Sequence, residues 1–301
     1  MTEAELRSLL HRRGLARIAD DLVRLAAPTV RVFLQPVDEA DHPIGASKVG
    51  GRADLPAGVA WPEWHEPMAF IAQFDLAAVA AHDREVALST RGRLSIFYET
   101  DSEPLYSAGW GLPEETEPAD FPEVDESLGW CVLYHEGNPA TFIRRDVPPE
   151  LNERARFPPC AARFAAEVTL PDLNGPEIAS LRPTETERLA LIEIDADVNR
   201  GDWETGGHHL LGYPYNLGEQ TLVQCELAAR RIPYEWMAAD PARKRRIERE
   251  AADRWRLLVQ VDSSDDAGMD WAGGGLLHVC IGREALRARD FSRVWINLQF
   301  L

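Results

Sequence analysis

The chain has 301 residues and a formal charge of −18, from 32 Lys and Arg against 50 Asp and Glu. That length accommodates one large domain or two smaller ones with a real core. The charge excludes a nucleic-acid backbone as natural partner, since phosphate binding needs Lys and Arg to displace counterions; a protein with a basic surface fits better.

Cys131, Cys160, Cys225 and Cys280 are scattered without a C-x-x-C pair, which argues against zinc knuckles and redox motifs and for a reduced compartment. Residues 1–26 lack the uninterrupted apolar core of a signal peptide. No apolar run approaches the roughly 18 residues needed to cross a bilayer. The expectation is a cytoplasmic protein with no membrane partner.

In chain order, Leu6, Leu9, Leu10, Ile18, Leu22 and Leu25 recur at helical intervals behind a Thr2–Glu5 capping box, with a break at Gly14. An N-terminal helical segment over 1–27 follows. TVRVFLQPV alternates like a half-buried strand. Residues 47–62 are punctuated by Gly and Pro and predict an ordered loop, with Gly50 and Gly51 supplying unusual backbone shapes. Met68 to Leu76 and Arg93 to Tyr98 read as strands.

From Glu99 to Glu126 the chain carries ten Asp or Glu, four Pro and no Lys or Arg, a composition that predicts a long solvated loop. Trp110, Glu114, Glu115 and Phe121 in it are candidate partner contacts. Residues 130–136, 164–170 and 190–196 read as further strands. Asp240 and Pro241 open a charged helix. Its interleaved signs describe a solvated face rather than a nucleic-acid surface. A short helix over 284–290 and a last strand, VWINLQF, follow.

One block occurs twice. Phe70 to Asp75 aligns with Leu257 to Asp262, each an apolar run ending in Gln-x-Asp. Each follows a Gly-Pro-rich loop (GGRADLPAGVAWP and LLGYPYNLGEQ) and precedes a Gly-led strand (GRLSIFY and GGLLHVC). An internal duplication explains this shared order, with halves over about 28–170 and 171–301. In strands, residues two apart share a face, so Gln73 lies with Asp75 and Gln260 with Asp262. A buried Gln must satisfy both ends of its amide. Its partner is either the irregular backbone of its own loop, making it a structural pin, or a ligand.

These residues, with Ser47-Lys48, Gly50-Gly51, Leu55-Pro56, Trp61-Pro62, Leu211-Gly212-Tyr213-Pro214 and Gly275 onward to Phe291, resemble the YwqG-like family of bacterial proteins over roughly 28–300. The family's usual Trp-Gly-Asp turn reads Trp271-Ala272-Gly273 here. The resemblance implies an α+β, mainly β fold with roll-like antiparallel sheets. It implies no established activity. Members lie in gene neighbourhoods that include secreted toxins, which implies an immunity or other protein-binding role.

The chain contains no dinucleotide or phosphate-binding glycine loop, no G-x-S-x-G and no H-E-x-x-H. Asp262, Asp265 and Asp270, with Asp266, crowd one turn and are candidate calcium ligands, though without EF-hand spacing. His208-His209 could offer one imidazole to a metal. Glu193, Asp195 and Asp197 share a face if 190–196 is a strand, and paired carboxylates can do acid–base work. Trp61, Trp64, Trp203 and Trp271 lie near the Gly-Pro loops, where such residues anchor core edges or meet partners.

Two functions emerge. The first is a non-enzymatic protein-binding module, such as an immunity protein against a basic toxin. The second is a small-ligand or metal-binding protein, or an enzyme, whose site between the halves is lined by Gln73, His209, Tyr213, Gln260 and Asp262. No cofactor is identified.

Overall fold

A computed structural model describes residues 1–100, 129–201 and 207–300. The chain opens with α1 (Glu3–Arg12), whose Thr2 hydroxyl accepts from the Glu5 N–H while the Glu5 carboxylate accepts from the Thr2 N–H. Gly14, at φ +78°, turns the chain into α2 (Ala19–Leu25). There follow β1 (Ala27–Pro36), β2 (Lys48–Val49), β3 (Asp54–Pro56), β4 (Ala69–Asp75), α3 (Leu76–Ala80), β5 (Arg93–Tyr98), β6 (Trp130–His135), β7 (Phe142–Arg144) and β8 (Cys160–Thr169). The remainder is α4 (Pro176–Ser180), α5 (Glu185–Asp195), β9 (His209–Leu210), α6 (Thr221–Ala229), α7 (Tyr234–Ala238), α8 (Pro241–Arg254), β10 (Trp255–Asp262), β11 (Leu276–Gly282), α9 (Arg283–Ala288) and β12 (Val294–Gln299).

The fold is mainly β. Among the described residues ten strands form one sheet in the order β12-β11-β10-β9-β1-β8-β2-β4-β5-β6, and every neighbouring pair is antiparallel. β3 and β7 form a separate pair. The sheet curls until its two edges nearly meet: the Trp130 and Trp295 rings lie 4.9 Å apart, and the Trp130 indole N–H donates to the Val294 carbonyl at 3.2 Å. The curled sheet encloses the main core, which includes Val32, Ile71, Phe74, Leu94, Leu258, Val259 and Val279. α1 and α2 bury Leu6, Leu10, Ile18 and Leu22 against Val168, Leu191 and Ile194, so the N-terminal helices cover a second core.

Reading inward from either edge, the sheet presents the same register. Lys48 pairs with Gln73 and Val49 with Ala72; His209 pairs with Gln260 and Leu210 with Val259. β4 shifts register between Phe70 and Ala72, and β10 between Leu257 and Val259. β2 pairs with Ala161 and Cys160 of β8, β9 with Arg31 and Val30 of β1. Both short strands are followed by two left-handed residues: Gly50 and Gly51 at φ +68° and +75°, Leu211 and Gly212 at +62° and +73°. At Gly50 a Cβ would stand 2.2 Å from the Pro158 carbonyl oxygen, so only glycine fits.

The expected strand over 190–196 is instead the end of α5, continued by a π-helical turn over Ala196–Arg200. Thr184 and Glu187 form a capping box, and Leu191, Ile194 and Val198 are buried at helical spacing. Alternation in IEIDAD fits either period, and the cap decides it. Glu193 and Asp197 therefore lie one helical turn apart, with Asp195 on another face.

Candidate functional site

Gln73 is completely buried. Its amide N–H groups donate to the Ala46 carbonyl at 2.7 Å and to Asp54 Oδ2 at 2.9 Å, and its Oε1 accepts the Asp54 backbone N–H at 3.0 Å. The Ser47 hydroxyl accepts the Asp75 N–H at 2.8 Å. Lys48 and Asp54, both with fully buried side chains, complete this arm. Lys48 Nζ lies 2.9 Å from Glu39 Oε1 and 3.4 Å from Asp54 Oδ2. The Arg144 guanidinium grips Asp54 at 2.8 and 3.2 Å.

Lys48 and Arg144 thus face Glu39 and Asp54 in one cluster, to whose rim Arg52 adds a third cation 3.3 Å from Glu39. Burial pushes the Lys48 ammonium below its ordinary value while Asp54 and Glu39 oppose the shift. Burial would raise Asp54, but Arg144, the Gly45 N–H, Lys48 and Gln73 outweigh it and hold the carboxyl below its usual range. Glu39 is likewise lowered against its burial, by the Arg52 N–H, Lys48 and Arg144. All four groups have partners inside the protein.

The other arm repeats this arrangement with different side chains. Gln260 donates to the Gly207 carbonyl at 2.7 Å and accepts the Tyr215 N–H at 2.9 Å. His278 Nε2 stands 3.1 Å from Gln260 Oε1 and 3.0 Å from the Tyr215 carbonyl. His208 Nδ1 accepts the Asp262 N–H at 3.1 Å, the task Ser47 performs for Asp75. His209 sits between the carbonyls of Gly207 and Tyr213, each 3.2 Å from a ring nitrogen. Burial holds His208 and His278 down to about 4 and His209 well below its ordinary value, so all three are neutral imidazoles at pH 7. Asp262 receives two bonds of 2.7 Å from Arg200 and one of 2.8 Å from the Gly207 N–H.

The candidate ligand residues therefore divide. His209, Gln260, Asp262 and the Tyr213 carbonyl belong to one network. Gln73 belongs to the other, with β9, β1, β8 and β2 between their strands in the sheet. The amide of each Gln is occupied by its own loop. Asp262 is closed by Arg200, and Asp270 Oδ1 accepts from the Gly273 and Gly274 N–H groups. Asp262, Asp265 and Asp270 do not converge: among the described residues no group of three or more His, Cys, Asp or Glu could hold a metal ion. Trp110, Glu114, Glu115, Phe121 and Trp203 lie outside the described residues.

Sequence reasoning missed Glu39, Asp54, Arg144, Arg200 and His278. The only available signal was Ser47-Lys48 ahead of the double glycine. Also unforeseen was a cleft of ≈1060 Å³ where the sheet's edges approach, walled by Trp130 to Leu133 of β6, the Trp255 end of β10, and Val294 and Trp295 of β12. Glu226 reaches it from α6 and accepts the Trp255 indole N–H at 2.8 Å. Among the described residues no helix is long and apolar enough to cross a membrane.

A family model described as "Domain of unknown function (DUF1963)" matches residues 47–299. No curated protein matches the chain.

Proposed function

This chain belongs to the DUF1963 family, a domain of unknown function, and from that premise we propose that it is a non-enzymatic binding module for a protein with a basic surface. One observation carries the reading. The side-chain polar groups of Gln73, Gln260 and Asp262 are occupied by backbone and ion-pair partners within the chain. Those motifs build the scaffold, so recognition falls to surfaces outside them.

The charge of −18 favours a cationic partner. The cleft between β6 and β12 is its docking place in this reading, because sheet edges offer unpaired backbone groups to an added strand. The acidic stretch 99–126 lies between β5 and β6 in sequence. Its Trp110 and Phe121 would anchor the partner and Glu114 and Glu115 would steer it. The narrower resemblance to YwqG-like proteins supports immunity against a basic toxin as the biological form of this role.

The same reading takes the two arms as copies of one ancestral unit. Arg31 and Val30 pair with β9 as Ala161 and Cys160 pair with β2. This makes β1 and β8 counterparts and moves the division to a point before Cys160. Each half then lends its first strand to the other.

The test compares wild type with a variant whose acidic residues in 99–126 are Gln or Asn. Affinity capture from native lysate at low and at about 0.5 M salt, followed by binding kinetics with the purified captured protein, reads the outcome. A stoichiometric basic protein whose association slows in the variant and in salt supports the proposal. Equal kinetics for both chains, or no specific protein captured, rejects it.

A further inference from the structure

Beside the edge cleft, and sharing Arg283 and Arg287 of α9 with it, lies a smaller one of ≈500 Å³. It is bounded by residues 85–89, by Arg256 near the start of β10, and by α9 with the chain after it. In a protein with 50 acidic and 32 basic residues its lining runs against the whole: Arg256, Arg283, Arg287 and Arg289 face the single carboxylate of Glu85.

These arginines are incompletely matched. Arg256 bonds Glu85 through one terminal nitrogen, while its Nε is buried without an acceptor. Arg289 reaches away to Glu136 at 2.7 Å. Arg283 donates to the Ala252 carbonyl at 3.3 Å, and among the described residues neither it nor Arg287 forms an ion pair. The Arg283 guanidinium is held below its ordinary value, first by partial burial and next by the like charge of Arg256, with Arg287 adding to it and Glu85 opposing.

The backbone around the cleft is also unusual. Val86, a β-branched residue exposed at 75%, sits at φ +53°, and Arg289 at φ +58°. An exposed valine gains no burial there to offset a strain on the order of 1–3 kcal/mol. Asp83 enforces the shape: its carboxylate accepts the Glu85 N–H at 3.1 Å and the Leu88 N–H at 2.8 Å. The loop is therefore held in place opposite the arginines.

We propose that this cleft binds the phosphate group of a small phosphomonoester, through Arg283, Arg287 and Arg256, with the carbon body of the ligand against Val86, Leu286 and Phe291. Guanidinium forks match phosphate oxygens two at a time. A dianion answers several facing cations better than a single carboxylate would. The cleft's volume lies within the range of small-molecule sites and is too confined for a folded partner. Arg283 and Arg287 also line the edge cleft, but their binding of a small anion does not depend on a protein docking there.

The test is calorimetric titration of the full chain with inorganic phosphate and with phenyl phosphate, at constant ionic strength in chloride. Arg283→Ala, Arg287→Gln and, as a charge-matched control, Arg163→Ala accompany wild type, with circular dichroism confirming that each is folded. The expectation is saturable binding of both probes, tighter for phenyl phosphate, weakened about tenfold or more by either cleft substitution and unchanged in the control. Sedimentation with phosphatidic acid vesicles separates a free ligand from the same group on a lipid. Vesicle binding without binding of the soluble probes overturns the proposal. So does equal binding by all four chains, or no saturable binding by wild type at about 10 mM of either probe.

Discussion

Lys48 and His209 occupy the same place in the two arms of the sheet. Each is the first residue of a two-residue strand and pairs with the buried glutamine of the next strand, Gln73 or Gln260. Each follows a side chain that accepts the N–H of the motif aspartate, Ser47 for Asp75 and His208 for Asp262. One backbone design thus carries two electrostatic solutions. Lys48 is neutralised by a cluster of charges, whereas His209 avoids charge by staying deprotonated.

Replacing Lys48 by Met removes a buried cation while Glu39 and Asp54 stay charged. Arg144 continues to hold Asp54 and Arg52 continues to hold Glu39, so the loss is that of Lys48's contacts with both. Breaking a buried pair by removing one partner costs about 3–5 kcal/mol; with Arg144 remaining, the expected loss is about 3 kcal/mol. Urea denaturation measures it, and a loss below about 1 kcal/mol would show that the cluster contributes little to the fold.

The glutamines should respond differently to the isosteric change to Glu. Gln73→Glu places a carboxylate against Asp54 Oδ2, where the amide now donates at 2.9 Å. Gln260→Glu places it 3.1 Å from His278 Nε2, the donor nitrogen of a ring that can take a second proton at Nδ1 and become a cation beside it. The first variant should lose about 2 kcal/mol more than the second at pH 7, since one creates a like-charge contact and the other an ion pair. Equal losses in paired denaturation curves would contradict the assignment of amide orientations.

Much of this scaffold was readable from sequence where a local rule decided it. That each buried Gln needs partners for both ends of its amide followed from its place in an apolar strand, while the choice between loop and ligand stayed open. The break at Gly14 followed from backbone freedom. Other features have no local signal. β2 and β9 have two residues each, and only pairing with distant strands makes them strands. Lys is almost never fully buried, so nothing in SKVGG announced Lys48 at zero exposure. α6 is buried around most of its circumference, which removes the amphipathic period. The two clefts depend on how far the sheet curls, a global property that no segment encodes by itself.

Stability should fall as the solution is acidified below pH 6.5. An unfolded histidine takes up its proton near 6.5, whereas folded His208 and His278 do so only near 4. Between those values the unfolded chain binds more protons, so each ring withdraws on the order of 2–3 kcal/mol by pH 4. His209, well below its ordinary value, acts in the same direction. His278→Asn, whose amide can still donate to the Tyr215 carbonyl, should flatten the dependence measured by urea midpoints at pH 7 and 5. An unaltered slope in that variant would mean the ring is not held neutral.

Asp195 works in the opposite sense. Burial pushes it up to about 6, with Asp172 adding to the shift and the Asn199 amide opposing it. The folded state therefore binds more protons than the unfolded one between 3.8 and about 6, so the carboxylate's destabilising effect builds up across that window and is complete above it. Asp195→Asn keeps an oxygen to accept the Asn199 N–H at 2.7 Å. It should stabilise the protein at pH 7 by about 1–2 kcal/mol, after allowance for partial exposure, and leave stability unchanged near pH 4. A variant less stable than wild type at pH 7 would show that the charge has a partner there.

The seam between β6 and β12 offers the last test. Trp130 crosses it twice, through edge contact with the Trp295 ring and through its indole N–H on the Val294 carbonyl. Trp130→Phe keeps most of the aromatic contact and removes the hydrogen bond, which should cost about 1 kcal/mol. Trp130→Ala removes both and leaves a cavity in the wall of the large cleft, for about 3–5 kcal/mol. If these groups hold the edges together, hydrogen exchange in both variants should rise first in β6 and β12, and later in β1 and β8. Uniform acceleration across all ten strands would instead mean that the sheet opens as one unit and that the seam does not set its weakest point.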